Sequence, residues 1–251
     1  MSGQQETGKR LLVARPRGFC AGVERAIATV EHLLGTTIGP LYVRKEIVHN
    51  RAVVDVFIRR GVIFVDELDE VVGTMGEAPD NITLITNEAD IDRLDVPGET
   101  ELYYVTQTTL SIDETNGIIE RLKSLHPDIQ GPSHSDICYA TQNRQDAVKV
   151  LVELGIERLL VVGSPNSSNS KRLCEVARIA GVPADLVGGV KDLPRDDLSS
   201  VALLGLTAGA SAPEYLVEEI ISHFAEKGWE YEEYVIMKED TKFDLPKEIR
   251  S

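Results

Sequence analysis

Short runs of branched apolar residues recur along this chain, each followed by a stretch whose apolar positions have helical spacing. Leu11–Ala14, Leu41–Glu46 and Val62–Asp66 read as strands, with Ala21–Leu34 and Arg51–Arg60 as the helices between them. In the first helix, Val23, Ile27, Val30, Leu33 and Leu34 fall on one stripe. Farther on, Ile82–Thr86 and Leu102–Thr106 read as strands and Asp113–Leu125 as a helix. A denser series follows: helix Gln142–Leu154, strand Arg158–Val162, helix Ser170–Ala180, strand Val201–Gly205, helix Pro213–Lys227 and a strand-like run, Tyr231–Met237. This alternation predicts βαβ units and mainly parallel sheets, an α/β fold.

The pattern divides the chain into a first α/β lobe at 10–67, a second at 68–132 and a third at 133–228. A disordered start (1–9) and a tail (229–251) flank them. The second lobe is thin, because two strands and one good helix make a poor core.

In open parallel sheets, ligands gather at the carboxyl ends of the strands. Four polar loops fall at such ends: Val48-His49-Asn50, Thr106–Ser111, Gly163–Ser170 and Thr207–Pro213. Hydroxyl and amide side chains beside helix N-termini can cradle an anion such as phosphate. They also serve as ordinary helix caps. One such residue suffices for a cap, so the run Asn166-Ser167-Ser168-Asn169-Ser170 points to an anionic ligand. His49 reads either as an imidazolium facing phosphate or as a helix-start cap. Arg17 reads either as an anion ligand or, the favoured reading, as the partner of a carboxylate.

The cysteines sharpen the picture. Cys20 follows a strand and opens a helix, and Cys138 repeats that arrangement. A thiol at a helix start meets unpaired N–H groups and the positive end of the dipole, which favour the metal-binding thiolate. Two such thiols suggest a shared metal site. Cys174 lies on the apolar side of a helix, beside Leu173 and Val176, and reads as a small core residue. Three cysteines with no close pair give no disulfide framework and fit a reducing cytosol. The formal charge of −15 argues against nucleic acid as a partner. No apolar run reaches membrane-spanning length.

Taken together, Pro16–Val23, Tyr42–Asn50, Gly73–Gly76, Thr106–Ser111, Asp136–Thr141, Asn166–Ser170 and Gly209–Pro213 resemble, in order, the motifs of one family. It is the 4-hydroxy-3-methylbut-2-enyl diphosphate reductase family of the non-mevalonate isoprenoid pathway. The resemblance implies a trefoil-like arrangement of three small parallel-sheet α/β lobes around a [4Fe–4S] cluster, one thiolate coming from each lobe. It also implies a two-electron reductive dehydroxylation giving isopentenyl and dimethylallyl diphosphate. Ferredoxin or flavodoxin would supply the electrons to a cytoplasmic monomer. Carried over by motif, Cys20 and Cys138 are cluster ligands. His49, Thr108, Ser167, Ser168, Asn169 and Ser211 hold the diphosphate or line the substrate pocket.

The chain departs from that pattern between its first two lobes. The family's Ala-His-Gly loop, its Thr-Cys-Pro loop with the middle cluster cysteine, and its Gly-His-x-x-His-x-Glu loop have no counterpart here. The sequence passes from Val62–Asp66 through Glu67-Leu68-Asp69-Glu70-Val71-Val72 straight into Gly73-Thr74-Met75-Gly76. Glu70 falls where the family's proton-donating glutamate belongs, although a junction between two Glu-Val dipeptides would give the same letters. The cluster site is therefore expected to be incomplete, the first two lobes truncated and the activity impaired. An inactive diphosphate-binding remnant, or the product of a splice or gene-model deletion, is the alternative.

Overall fold

Strand β1 (Arg10–Arg15) lies inside a five-stranded parallel sheet rather than at the head of a separate lobe. The computed structural model describes residues 8–36, 39, 41–44, 46–65, 83–94, 102–106, 112–131, 138–194 and 198–249. With β4 (Arg158–Val162), β5 (Ala184–Val187), β6 (Leu203–Ala208) and β7 (Glu230–Val235), the sheet order is β5-β4-β6-β1-β7. Leu11 pairs with Leu204 on one side and Tyr231 on the other. The sequence pattern grouped β1 with residues 10–67 and put Tyr231–Met237 in a tail. Both belong to the sheet of the third lobe, a pairing that local periodicity cannot reveal because its partners lie about 200 residues away.

Alternation along these strands feeds two cores. Leu11, Val13, Leu160, Val162, Leu204 and Leu206 face helix α7 (Glu214–Glu226), meeting Val217, Ile220 and Phe224, with Trp229 closing the end. Leu12, Ala14, Leu159 and Val161 face the opposite way. They pack on Ala147, Val148 and Leu151 of α5 (Tyr139–Glu153) and on Leu173 and Ala177 of α6 (Ser168–Ile179). A parallel sheet covered on both faces explains the near-continuous apolar strands β1, β4 and β6. Edge strand β7 is largely exposed, and ion pairs fasten it to β1: Arg10 to Glu232 at 2.6 Å and Arg15 to Glu233 at 2.8 Å.

A second body holds α1 (Ala21–Thr36), α2 (Arg51–Arg59) and the parallel pair β2 (Leu41–Arg44) and β3 (Val62–Val65). Val30, Val53, Phe57 and Val62 are its core. Tyr42 and Ile63 sit opposite each other in register, and both are exposed.

The middle of the chain is sparser among the described residues. Helix α3 (Glu88–Ile91), with an Asn87–Asp90 capping box, packs near α4 (Ile112–Leu125). The expected strand Ile82–Thr86 is not formed over 83–86. Leu102–Thr106 makes one isolated bridge, Tyr103 to Gln130. Among the described residues neither run finds a partner strand, and a strand without one does not form. Strand β5 was not anticipated, because Asp185 interrupts its apolar pattern. That carboxylate pairs with Arg158 of β4 at 2.6 Å.

Candidate functional site

Strands β1, β4 and β6 run parallel, so the loops that follow them emerge on one edge of the sheet. The loop after β1 leads through a cis Arg15–Pro16 bond to Cys20. Gly18 takes φ +67, a region that favours glycine, and its N–H donates to the Ala208 carbonyl at the end of β6. Arg17 is buried. It pairs with Glu214 at 2.6 Å and Glu233 at 2.7 Å and donates to the Ala14 carbonyl, a structural role. Cys20 immediately precedes α1, and its carbonyl accepts from the Glu24 N–H at 2.9 Å.

The loops after β4 and β6 interlock around Ser170. A Cβ added at Gly163 or at Gly209 would run into the Ser170 side chain, so both positions depend on glycine for close approach. Ser167 caps α6, accepting from the Ser170 N–H at 3.3 Å, while the Ser170 hydroxyl donates to Ser167 Oγ at 3.0 Å. Asn169 Oδ1 accepts from the Ala210 N–H at 2.9 Å, and its amide nitrogen reaches Thr141 Oγ1 at 3.5 Å. Ser211 Oγ lies 3.4 Å from Ser167 Oγ and donates to the His49 carbonyl at 3.3 Å. The Cys20 N–H donates to the Ala210 carbonyl at 3.4 Å. Four of the anticipated residues, Cys20, Ser167, Asn169 and Ser211, thus join one network with the backbone of His49.

The His49 side chain is exposed, with Nδ1 at 3.6 Å from Glu46. It does not cap α2. Asn50 does, its side chain accepting from the N–H groups of Ala52 and Val53. The imidazole is therefore left facing outward beside the network. Ser168, the first residue of α6, is also exposed. Thr108 and Glu70 lie outside the described residues, as do Gly73–Gly76 and residues 1–7.

Cys138 occupies the N-cap of α5 without using its side chain as a cap, and is half-buried like Cys20. Tyr139 follows it as the first residue of α5. Burial pushes its phenol up, Cys20, Glu239 and Cys138 add to that, and Thr241 opposes it. The third cysteine is elsewhere. Cys174 is buried within α6 against the sheet, and burial pushes its thiol up to about 11. A thiol held that high is a poor ligand. Among the described residues, no three His, Cys, Asp or Glu side chains gather around a common point. The donor set among the described residues does not fit a site needing three thiolates.

One important residue was missed from sequence. Arg144 on α5 is fully buried, its guanidinium donating to the carbonyls of Gly18 and Ala140 and pairing with Glu239 at 3.0 Å. The signal was present: Arg144 sits on the apolar stripe of Ala140, Ala147, Val148 and Leu151, where a charge needs a reason.

With that geometry established, likeness to known proteins decides the assignment. The family model described as LytB protein matches residues 11–70 and 67–225. The chain belongs to this family. Family members from Francisella tularensis subsp. holarctica (strain FTNF002-00 / FTA) and subsp. novicida (strain U112), both named 4-hydroxy-3-methylbut-2-enyl diphosphate reductase, are each 39% identical to it. Each alignment covers 96% of this chain and 97% of the relative. The solved E-1-hydroxy-2-methyl-but-2-enyl-4-diphosphate reductase from Plasmodium falciparum superposes with TM-score 0.88 at 30% identity. That match covers 96% of this chain and 97% of the other.

The alignment to the holarctica relative runs over 309 positions, whereas this LytB-family chain has 251 residues, so at least 58 positions are gaps on this side. The two segments matched to the family model overlap at 67–70. Glu67-Leu68-Asp69-Glu70 therefore aligns with both sides of the junction, and Glu70 has two possible counterparts. Among the described residues, no helix is long and apolar enough to cross a membrane.

Proposed function

We propose that this chain binds 4-hydroxy-3-methylbut-2-enyl diphosphate at the sheet edge and reduces it poorly. Ser167, Asn169 and Ser211, with Ser168, Thr108 and the outward imidazole of His49, hold the diphosphate. The N-termini of α6 and α7 add backbone N–H groups and positive dipole ends. The observation that carries this reading is the convergence of hydrogen bonds on Ala210 and Ser211, from Asn169 and the Cys20 backbone on the first and from Ser167 and the His49 carbonyl on the second.

Cys20 and Cys138 would supply two thiolates of the [4Fe–4S] cluster. With the third missing, no reductive step is assigned to a cluster here. In the full reaction, two electrons and two protons release the allylic hydroxyl as water and leave isopentenyl and dimethylallyl diphosphate. Ferredoxin or flavodoxin is the expected donor, Glu70 the expected proton source, and a cytoplasmic monomer the expected state.

Calorimetry of the full chain with the substrate diphosphate, paired with anaerobic reconstitution and iron and sulfide assay, tests both halves. Saturable binding with sub-stoichiometric, labile iron is expected. No binding would defeat the diphosphate reading, and a stable four-iron cluster with ordinary turnover would defeat the impairment.

A second reading makes the chain a binding remnant or the product of a splice or gene-model deletion. The overlapping matches at 67–70 favour it. The encoding DNA around the codons for Glu67 to Gly73 decides. An intervening segment encoding the absent His and Cys loops supports an artefact, and an uninterrupted frame supports a real short protein.

A further inference from the structure

We infer that Arg144 is a positioning residue that bolts the Cys20 loop to the Cys138 helix, with Glu239 of the C-terminal segment as its latch. A guanidinium has five N–H donors, and all five are used. Nε and Nη2 converge on the Gly18 carbonyl, at 3.2 and 2.7 Å. Nη1 donates to the Ala140 carbonyl at 2.9 Å and to Glu239 Oε1 at 3.0 Å. Nη2 also reaches Glu239 Oε2 at 3.2 Å, completing a two-pronged pair. The Asn143 amide donates to Glu239 Oε1 at 2.9 Å, so two residues of α5 hold the latch.

The placement gives these bonds their consequence. Gly18 is two residues before Cys20, and Ala140 two after Cys138. One buried group therefore ties together the backbones that carry both sulfurs. The Gly18 N–H is fixed to β6 and its carbonyl to Arg144, so the peptide units on both sides of the Gly18 Cα are held, one by each partner. Lysine could not replace this fork, since a single ammonium cannot span Gly18, Ala140 and Glu239 together. The segment after β7 thereby becomes part of the thiolate site, although it contributes no ligand. This rests on the proposed thiolate role of Cys20 and Cys138, but its primary test needs neither iron nor diphosphate.

The experiment is labelling of the full-length, metal-free, reduced chain by N-ethylmaleimide, resolved cysteine by cysteine with mass spectrometry. R144Q should label Cys20 about tenfold faster than the unmodified chain through local opening. Arg144 holds the Gly18 carbonyl, two residues before Cys20, so acceleration reports release of the loop that carries the thiol. Cys174, buried in the sheet core, should stay protected and serves as the internal gauge of global folding. E239Q should produce a smaller acceleration of the same kind, and iron retained after anaerobic reconstitution should fall in the same order.

Unchanged Cys20 labelling in R144Q with Cys174 protected overturns the proposal. If R144Q exposes Cys174 as well, E239Q decides, and an unchanged Cys20 rate there overturns it equally. Faster labelling with iron retention unaltered would reduce Arg144 to a packing role, also against the proposal. Should the unmodified chain take up no iron, the metal reading fails and labelling alone judges the brace.

Discussion

Replacing Glu233 by Gln should destabilise the protein near neutral pH and do so less and less on acidification. Glu233 accepts from Arg15 and Arg17, and these guanidinium groups hold its carboxyl down at about 2, against an ordinary 4.5. At full strength that displacement corresponds to roughly 3.4 kcal/mol, at about 1.36 kcal/mol per pH unit. The Glu233 side chain is 35% exposed and that of Arg15 47% exposed, so water and salt screen much of it. We expect about 1–1.5 kcal/mol to remain.

The folded value lies below the unfolded one, so the contribution is fully present above pH 4.5 and lost as pH falls through about 2. Near pH 3, roughly two-fifths of it should survive. Urea unfolding of the two proteins in parallel between pH 7 and pH 3 reads the difference directly, because the other carboxylates cancel. A gap that stays constant over that range, or widens on acidification, refutes the reasoning.

Asn169→Ala should strand the Ala210 N–H and free Thr141, costing about 1–3 kcal/mol in urea unfolding and weakening diphosphate binding in calorimetry at least about tenfold. Asn50→Ala should lose about 1 kcal/mol, because the first turn of α2 forfeits the cap over Ala52 and Val53, whereas Asn50→Asp should keep most of it. Cys174→Ala should lower stability by about 1 kcal/mol and leave iron uptake and diphosphate binding as they were, since the thiol only fills core space.

Much of the third lobe is legible in the chain. Arg158–Val162 and Pro213–Lys227 are found within a residue or two of β4 and α7, because β4 is a continuous buried apolar run and α7 carries a buried stripe at Val217, Ile220 and Phe224. The polar loops were also readable, since runs such as Asn166–Ser170 hold more hydroxyls and amides than a cap requires. Connections set by distant partners could not be read. β1 looks the same locally whether it heads its own sheet or sits between β6 and β7. Leu102–Thr106 looks like a strand yet makes only an isolated bridge among the described residues. Arg144 was passed over because its partners, Gly18 and Glu239, lie 126 and 95 positions away. The Glu239 half of that pair follows β7 in a run with no apolar rhythm, so nothing local marks it.

The place of β1 constrains how this molecule can be made. Residues 10–15 leave the ribosome about 200 residues ahead of the neighbours they require, 203–208 and 230–235. Until then four apolar side chains, Leu11 to Ala14, have no lasting home, and β4 waits beside an unfilled slot. Such long-range closure is slow and leaves sticky intermediates exposed. Nascent chains halted before residue 203 should therefore depend on chaperones, and the sheet should close only once residues 230–235 have emerged.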